Sequence, residues 1–282
     1  MVWQLGIVPY LNADPLAAAL QESDAALLVG DAVRVKALVP SQLLQTLLDG
    51  RLDAALVSTA GVLPYPQLRI LPEMCVASRG PVRSIRLYCR RPVTEVRTVA
   101  LDASSRSAVA LTRVLFAERW RTHPEFLTLP PDLPLMLERA DAALLIGNPA
   151  LQANVALEAG LIEAPLVEHH DLGAVWTEMT GLPFVYAVWA GPEDRDLDRL
   201  SGALLRAKAW GLRRLPLLAA RGARDLELPL SLTVAYLTES IRYHLGHEER
   251  AGMEHFCRLA MRHGVLPEGS AVRFTEAAVA SV

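Results

Sequence analysis

Cysteine, aromatic residues and long apolar runs are all scarce in this sequence. The three cysteines, Cys75, Cys89 and Cys257, lie far apart with no CxxC pair. That excludes a disulfide framework and a cysteine-type zinc site, and leaves small buried thiols. Aromatics make up 6% of the 282 residues, so a core has to be built from Ala, Leu and Val. No apolar run reaches the roughly 18–20 residues needed to span a bilayer. The opening Met1-Val2-Trp3-Gln4-Leu5-Gly6-Ile7-Val8 has no basic export segment and reads directly as a strand, so a cytoplasmic location is expected. A net charge of −3 gives no footprint for nucleic acid or for an anionic membrane. There is no GxGxxG or GxxxxGK(S/T) phosphate loop, no HExxH helix and no GxSxG elbow. No dense His/Asp/Glu cluster is present, so no metal is expected; His169-His170 reads as surface, and His244 and His247 as flanking a helix break.

What is present is a globular α/β pattern. Apolar residues are 52% and charged residues 21%, enough to close a packed core. At about 150 residues per domain the length suggests two domains. Short apolar runs alternate with helical patterns. Strands are predicted at Trp3–Pro9, Ala32–Val39, Asp53–Val57, Ser84–Cys89, Thr98–Leu101, Ala142–Ile146 and Phe184–Trp189. Helices are predicted at Asp14–Gln21, Gln42–Leu48 (capped by Ser41 and ended by Gly50), Ala108–Arg119, Leu133–Arg139, Leu197–Leu212, Ser231–Tyr243 and Glu248–His263. The first β-α-β-α-β run implies a parallel sheet with right-handed crossovers. Breaks after Cys89 and near Ala190 suggest that residues 90–187 form an inserted second lobe, with residues 1–89 and 188–282 making the first. The cleft between them would hold a ligand at the carboxyl ends of parallel strands.

Four polar clusters follow predicted strands, and a fifth leads into one. In Tyr10-Leu11-Asn12-Ala13-Asp14-Pro15, Pro15 suits a first helical turn and Asp14 its cap, while Asn12 precedes the cap and can turn its amide to a cleft. In Ser58-Thr59-Ala60-Gly61, capping accounts for one hydroxyl and leaves the other for an anion. Ser104-Ser105-Arg106-Ser107 combines a helix N-terminus, hydroxyls and a guanidinium that can grip a carboxylate, and is the best anion site in the chain. Gly147-Asn148-Pro149-Ala150 and Thr180-Gly181-Leu182-Pro183-Phe184 are weaker signals of the same kind. On residues alone this is a two-lobed α/β protein with anion-friendly loops. A solute receptor and an enzyme acting on a small carboxylate both fit.

Taken together, several strings resemble the chorismate dehydratases of the futalosine route to menaquinone. They are Ile7-Val8-Pro9-Tyr10-Leu11-Asn12-Ala13-Asp14-Pro15-Leu16, Gly80-Pro81-Val82-Arg83-Ser84, Leu101-Asp102-Ala103-Ser104-Ser105-Arg106-Ser107, Ala142 to Leu151, Asp171-Leu172-Gly173 through Trp176, and Thr180 to Trp189. The resemblance implies a two-lobed fold like that of type II periplasmic binding proteins, with the ligand between the lobes. It implies that chorismate, a small dianion, loses water to give 3-(1-carboxyvinyloxy)benzoate without metal or organic cofactor, and it leaves a homodimer as a possible assembly. It carries catalytic roles to Asn12 and Ser84, with Asp14 a candidate proton acceptor and a substrate carboxylate the alternative base. Ser105, Arg106 and Ser107 would hold one carboxylate. Ser58, Thr59 and the backbone near Ser84 would hold the other, with Tyr10, Gly147 and Asn148 completing the substrate site. The chain departs from the family pattern at Asn148, where Asp is usual, at Ser107, where Thr is usual, and at Ala108, where Ser is usual. The alternatives are a non-catalytic small-carboxylate binding protein of this fold and the related 1,4-dihydroxy-6-naphthoate synthase.

Overall fold

The computed structural model describes residues 2–102, 104–162 and 164–275. Ten strands form two five-stranded sheets: β1 (Val2–Ile7), β2 (Ala32–Ala37), β3 (Ala54–Ser58), β4 (Leu68–Ser78), β5 (Ile85–Cys89), β6 (Thr98–Asp102), β7 (Glu125–Leu129), β8 (Ala142–Ile146), β9 (Glu168–Asp171) and β10 (Phe184–Pro192). The first sheet has the order β2-β1-β3-β10-β4 and the second β7-β6-β8-β5-β9. In each, three parallel strands come first, followed by one antiparallel strand that arrives from the other lobe: β10 in the first sheet, β5 in the second.

That pairing moves the expected lobe boundaries. Ile85–Cys89 pairs with β8 and β9, so it belongs to the second sheet, and all of Phe184–Pro192 pairs with β3 and β4 in the first. The crossings therefore lie within residues 79–84 and 172–183, not at 90 and 188. The Arg90-Arg91-Pro92 break is a turn inside the second lobe. Turn chemistry marks a reversal of the chain, and only strand pairing tells whether the reversal changes sheet.

The inner parallel strands β1, β3, β6 and β8 are mostly buried runs, as strands covered on both faces have to be, while the edge strands β2 and β7 are largely exposed. Every residue of β8 is buried, and its side chains alternate between two cores. Leu144 and Ile146 join the main core, which extends into the first lobe through Leu5, Leu56 and Trp189. Ala143 and Leu145 pack with Tyr88, Met136 and Leu137 beneath the helix Leu133–Arg139. The strand β4 escapes its sequence pattern because Pro72 and Glu73 interrupt it, with Glu73 at φ +62° and the pairing with β10 slipping at that point. The helix Pro40–Leu48 starts with Val39 in the capping position, two residues earlier than expected, and the Ser41 side chain lies outside the described residues. The expected helix Ser231–Tyr243 is shorter: α-helix Leu230–Ala235 runs into a π turn, Tyr236–Ser240, and the chain then extends beside β4, where the Arg242 amide donates to Ala77 O. Among the described residues no helix is long and apolar enough to cross a membrane.

Behind the first strand-end turn, helix Leu197–Leu212 packs so closely that a Cβ on Gly211 would stand 2.2 Å from the Pro15 carbonyl oxygen. Only glycine allows that approach. Gly211→Ala is expected to destabilise the fold by about 1–3 kcal/mol through overpacking, lowering the midpoint of thermal unfolding by several degrees. A midpoint equal to wild type would mean that the turn bearing Asn12 does not rest on this helix.

Candidate functional site

The carboxyl ends of β1, β3 and β8 and the start of the helix Arg106–Leu115 converge on a cavity of about 530 Å³, part of it open to solvent. That size suits one small organic molecule. Tyr10, Asn12, Ser58, Ser84, Ser105 and Gly147 all line it, so six of the expected residues meet in one place. Val8, Leu56, Val76, Ile85 and Ile146 form an apolar wall, and Tyr186 adds a phenol that sequence reasoning missed. Among the described residues, no lining residue is an Asp, Glu, His, Lys or Arg.

Local structure explains these positions. Ser105 caps its helix by accepting from the Ala108 amide at 3.3 Å. Gly147 sits at φ +61° with its Cα against the Tyr10 ring, where a Cβ would be 3.0 Å from Cδ1. Its amide donates to Ser84 O at 2.7 Å. Ser84 is fully buried, and its Oγ accepts from the Tyr236 hydroxyl at 2.7 Å. Just before it, Arg83 has φ +65°, a left-handed conformation uncommon for a side chain of this size. Asp171 holds it there: its carboxylate accepts from Val82 N at 2.9 Å and from Arg83 N at 2.7 Å, while Asn154 Nδ2 donates to Arg83 O at 3.1 Å. Burial raises the Tyr10 and Tyr186 hydroxyls above their usual range, so both phenols are neutral donors at neutral pH.

The other expected residues stand behind or beside the cavity. Thr59 is fully buried and its hydroxyl has no hydrogen-bond partner. Ser107 is fully buried, with its Oγ accepting from Ala60 N at 3.1 Å, which joins the two lobes. Arg106 is exposed, its stem passing Gly61. Asn148 clasps the first-lobe turn: Oδ1 accepts from Leu11 N at 3.1 Å and Nδ2 donates to Pro9 O at 3.4 Å. An aspartate there could accept but not donate. Asp14 is not a cap, because it is itself the first residue of the helix Asp14–Ala17, with Ala13 in the capping position and no side-chain cap bond. It faces the charges of Arg221 and Asp225.

Away from the cavity, Cys89, Glu168 and His170 bring one ligand-type atom each to within 4.8 Å of one another on β5 and β9. Cys89 lies four residues along β5 from Ile85, roughly 13 Å at strand rise. Glu168 already accepts from the Val93 amide and lies 3.3 Å from His170 Nε2. His169 is exposed as expected, but His170 is half-buried against Trp120, and both lie in a strand rather than a connection.

A family model described as menaquinone biosynthesis matches residues 3–262. The chorismate dehydratase of Thermus thermophilus is 34% identical over 262 residues, covering 89% of this chain and 93% of its own. A Candida albicans protein described as exhibiting the generic periplasmic binding protein fold superposes with a TM-score of 0.69 at 12% identity, over 95% of this chain and 92% of its own. The alkanesulfonate-binding protein SsuA from Xanthomonas axonopodis, solved with MOPS bound, gives 0.66 at 17% identity over 96% of each chain. At these identities the solved structures establish the fold alone, and it is the two-lobed binding-protein fold.

Burial pushes the Asp14 carboxyl up to about 6, with the Arg221 charge opposing the rise and Asp225 adding to it. The folded state thus binds this proton more tightly than the unfolded chain, so this group's contribution to stability falls as pH rises from about 4 to about 6. Asp14→Asn removes the cost. The variant is expected to be more stable than wild type above pH 7, by on the order of 2 kcal/mol, and equal to it below pH 4, in urea unfolding at both pH values. A variant less stable than wild type at pH 7.5 would contradict this reading.

Proposed function

The chain belongs to the menaquinone biosynthesis family, and we propose that its reaction is the dehydration of chorismate to 3-(1-carboxyvinyloxy)benzoate. The observation that carries this reading is the character of the cavity: hydroxyls and one amide around an apolar wall, at the place where the resemblance puts Asn12 and Ser84. The relative from Thermus thermophilus that bears this activity in its name supports the substrate.

The elimination is redox-neutral and aromatisation of the ring drives it, so the reaction as proposed uses no cofactor. With no carboxylate or imidazole among the lining residues, the proton acceptor is a carboxylate of the substrate itself. It takes the C3 proton, the C3–H electron pair becomes the C3=C4 bond, and the C4–O bond breaks. The departing hydroxide takes up a proton and leaves as water. Asn12 and Ser84 donate hydrogen bonds to the oxygen on which negative charge builds, the kind of stabilisation that contributes most when the donors are fixed beforehand. Ser105 and the Arg106 guanidinium, at the start of a ten-residue helix, take one substrate carboxylate. Ser58 takes the other. Ser107 and Asn148 hold the lobes together around the ligand.

Purified protein mixed with chorismate is expected to release the aromatic enol ether and one water, followed by mass and absorbance. Ser84→Ala and Asn12→Ala should each lower kcat by about 10²-fold, with little change in KM. Asp14→Asn should keep its turnover. Chorismate bound but left intact by the wild type would make the protein a receptor, and loss of turnover in a folded, chorismate-binding Asp14→Asn variant would make Asp14 the base.

A further inference from the structure

The helix Leu230–Ala235 does not end as an α-helix: Tyr236–Ser240 is wound as a π turn. Such turns are rare, and they occur frequently at functional sites. This one lies against the first lobe crossing. Tyr236 donates to Ser84 Oγ at 2.7 Å, and four residues on, Ser240 Oγ accepts from Arg83 Nε at 2.9 Å. Two side chains of one π turn therefore hold two adjacent residues, one of them in the left-handed conformation. The Asn12 side chain lies close to the same Tyr236 hydroxyl. Ser84 and Asn12 line the cavity, and Tyr236 stands behind them, 1% exposed.

A phenol has one proton to give. Here it goes to Ser84 Oγ, so the Ser84 proton cannot point back at Tyr236 and is free to point into the cavity. The order Tyr236 to Ser84 to ligand is then directional, and the first bond polarises the second. We propose that Tyr236 is a positioning residue, and that the π turn carrying it fixes Ser84 as a hydrogen-bond donor to the leaving oxygen of the substrate. This rests on the dehydration proposed above. Nothing in the sequence pattern marks Tyr236, which lies more than 150 residues from Ser84 inside an ordinary helical stretch.

The test is a double-mutant cycle with chorismate, run beside the wild type. Tyr236→Phe removes one oxygen and keeps the ring. It is expected to lower kcat about 10-fold, to leave KM within about twofold and to have no further effect in a Ser84→Ala background. A kcat equal to wild type, or an equal loss in both backgrounds, would overturn the proposal, since a merely structural tyrosine would act whether or not Ser84 is present. Ser240→Ala leaves Tyr236 in place and frees Arg83; it should lower kcat at unchanged KM even if Tyr236→Phe does not fold, and an unchanged kcat would overturn the role of the turn. A wild type that binds chorismate without dehydrating it would end the proposed reaction. The same cycle read in Kd then decides the positioning: loss of affinity only where Ser84 is present supports it, and equal effects in both backgrounds overturn it. A wild type that does not bind chorismate overturns both.

Discussion

A single buried carboxylate fixes how the two lobes meet. Asp171 accepts from the amides of Val82 and Arg83 on one crossing, and from Gly173 and Ala174, both at 3.1 Å, at the start of the other. Charge-assisted bonds of this kind are roughly twice as strong as neutral ones, and four on one group hold Arg83 in a conformation it would not choose alone. The helix that Asp171 starts, Leu172–Thr180, then supplies Thr177, whose hydroxyl accepts from Gly80 N at 2.8 Å. Both crossings thus behave as one joint, and Ser84 leaves it with its direction already set.

The two sheets repeat one plan, three parallel strands and an antiparallel visitor from the opposite lobe, so the carboxyl ends of both parallel sets face the same space. Strand ends followed by helix starts expose backbone amides and short hydroxyl side chains, and that is what the cavity offers. A site of this composition orients a ligand and places donors where charge develops, but supplies no strong base. Dehydration of a substrate that carries its own carboxylates suits such a wall. So does the division of labour among the serines: Ser105 and Ser84 face the cavity, while Ser107 is committed to Ala60 across the lobes.

Much of this was legible in the sequence because strand-end clusters are local. Tyr10, Asn12, Ser58, Ser105 and Gly147 follow short apolar runs within a few residues, and the fold brings those run ends together. The lobe boundary was not legible, since Ile85–Cys89 reads as a strand whichever sheet it joins and the Arg90-Arg91-Pro92 turn is the louder signal. The strand β4 was hidden by Pro72 and Glu73, which break its alternation at a bulge. Asp14 looked like a cap from its place before Pro15, but the preceding turn already continues into the helix, which leaves its carboxyl buried instead. Tyr236 and Asp171 act through contacts far apart in sequence, and no local pattern encodes those.

The central claim is that the substrate, and no side chain, accepts the proton. The dependence of kcat on pH tests it most directly, because the one carboxyl near this turn whose proton affinity is strongly altered, Asp14, titrates at about 6. If the substrate carboxylate is the base, kcat measured at saturating chorismate should stay level as the pH is lowered from 8 to about 5. A tenfold fall per pH unit below about 6, abolished together with turnover in Asp14→Asn, would contradict the account and give the proton to the protein.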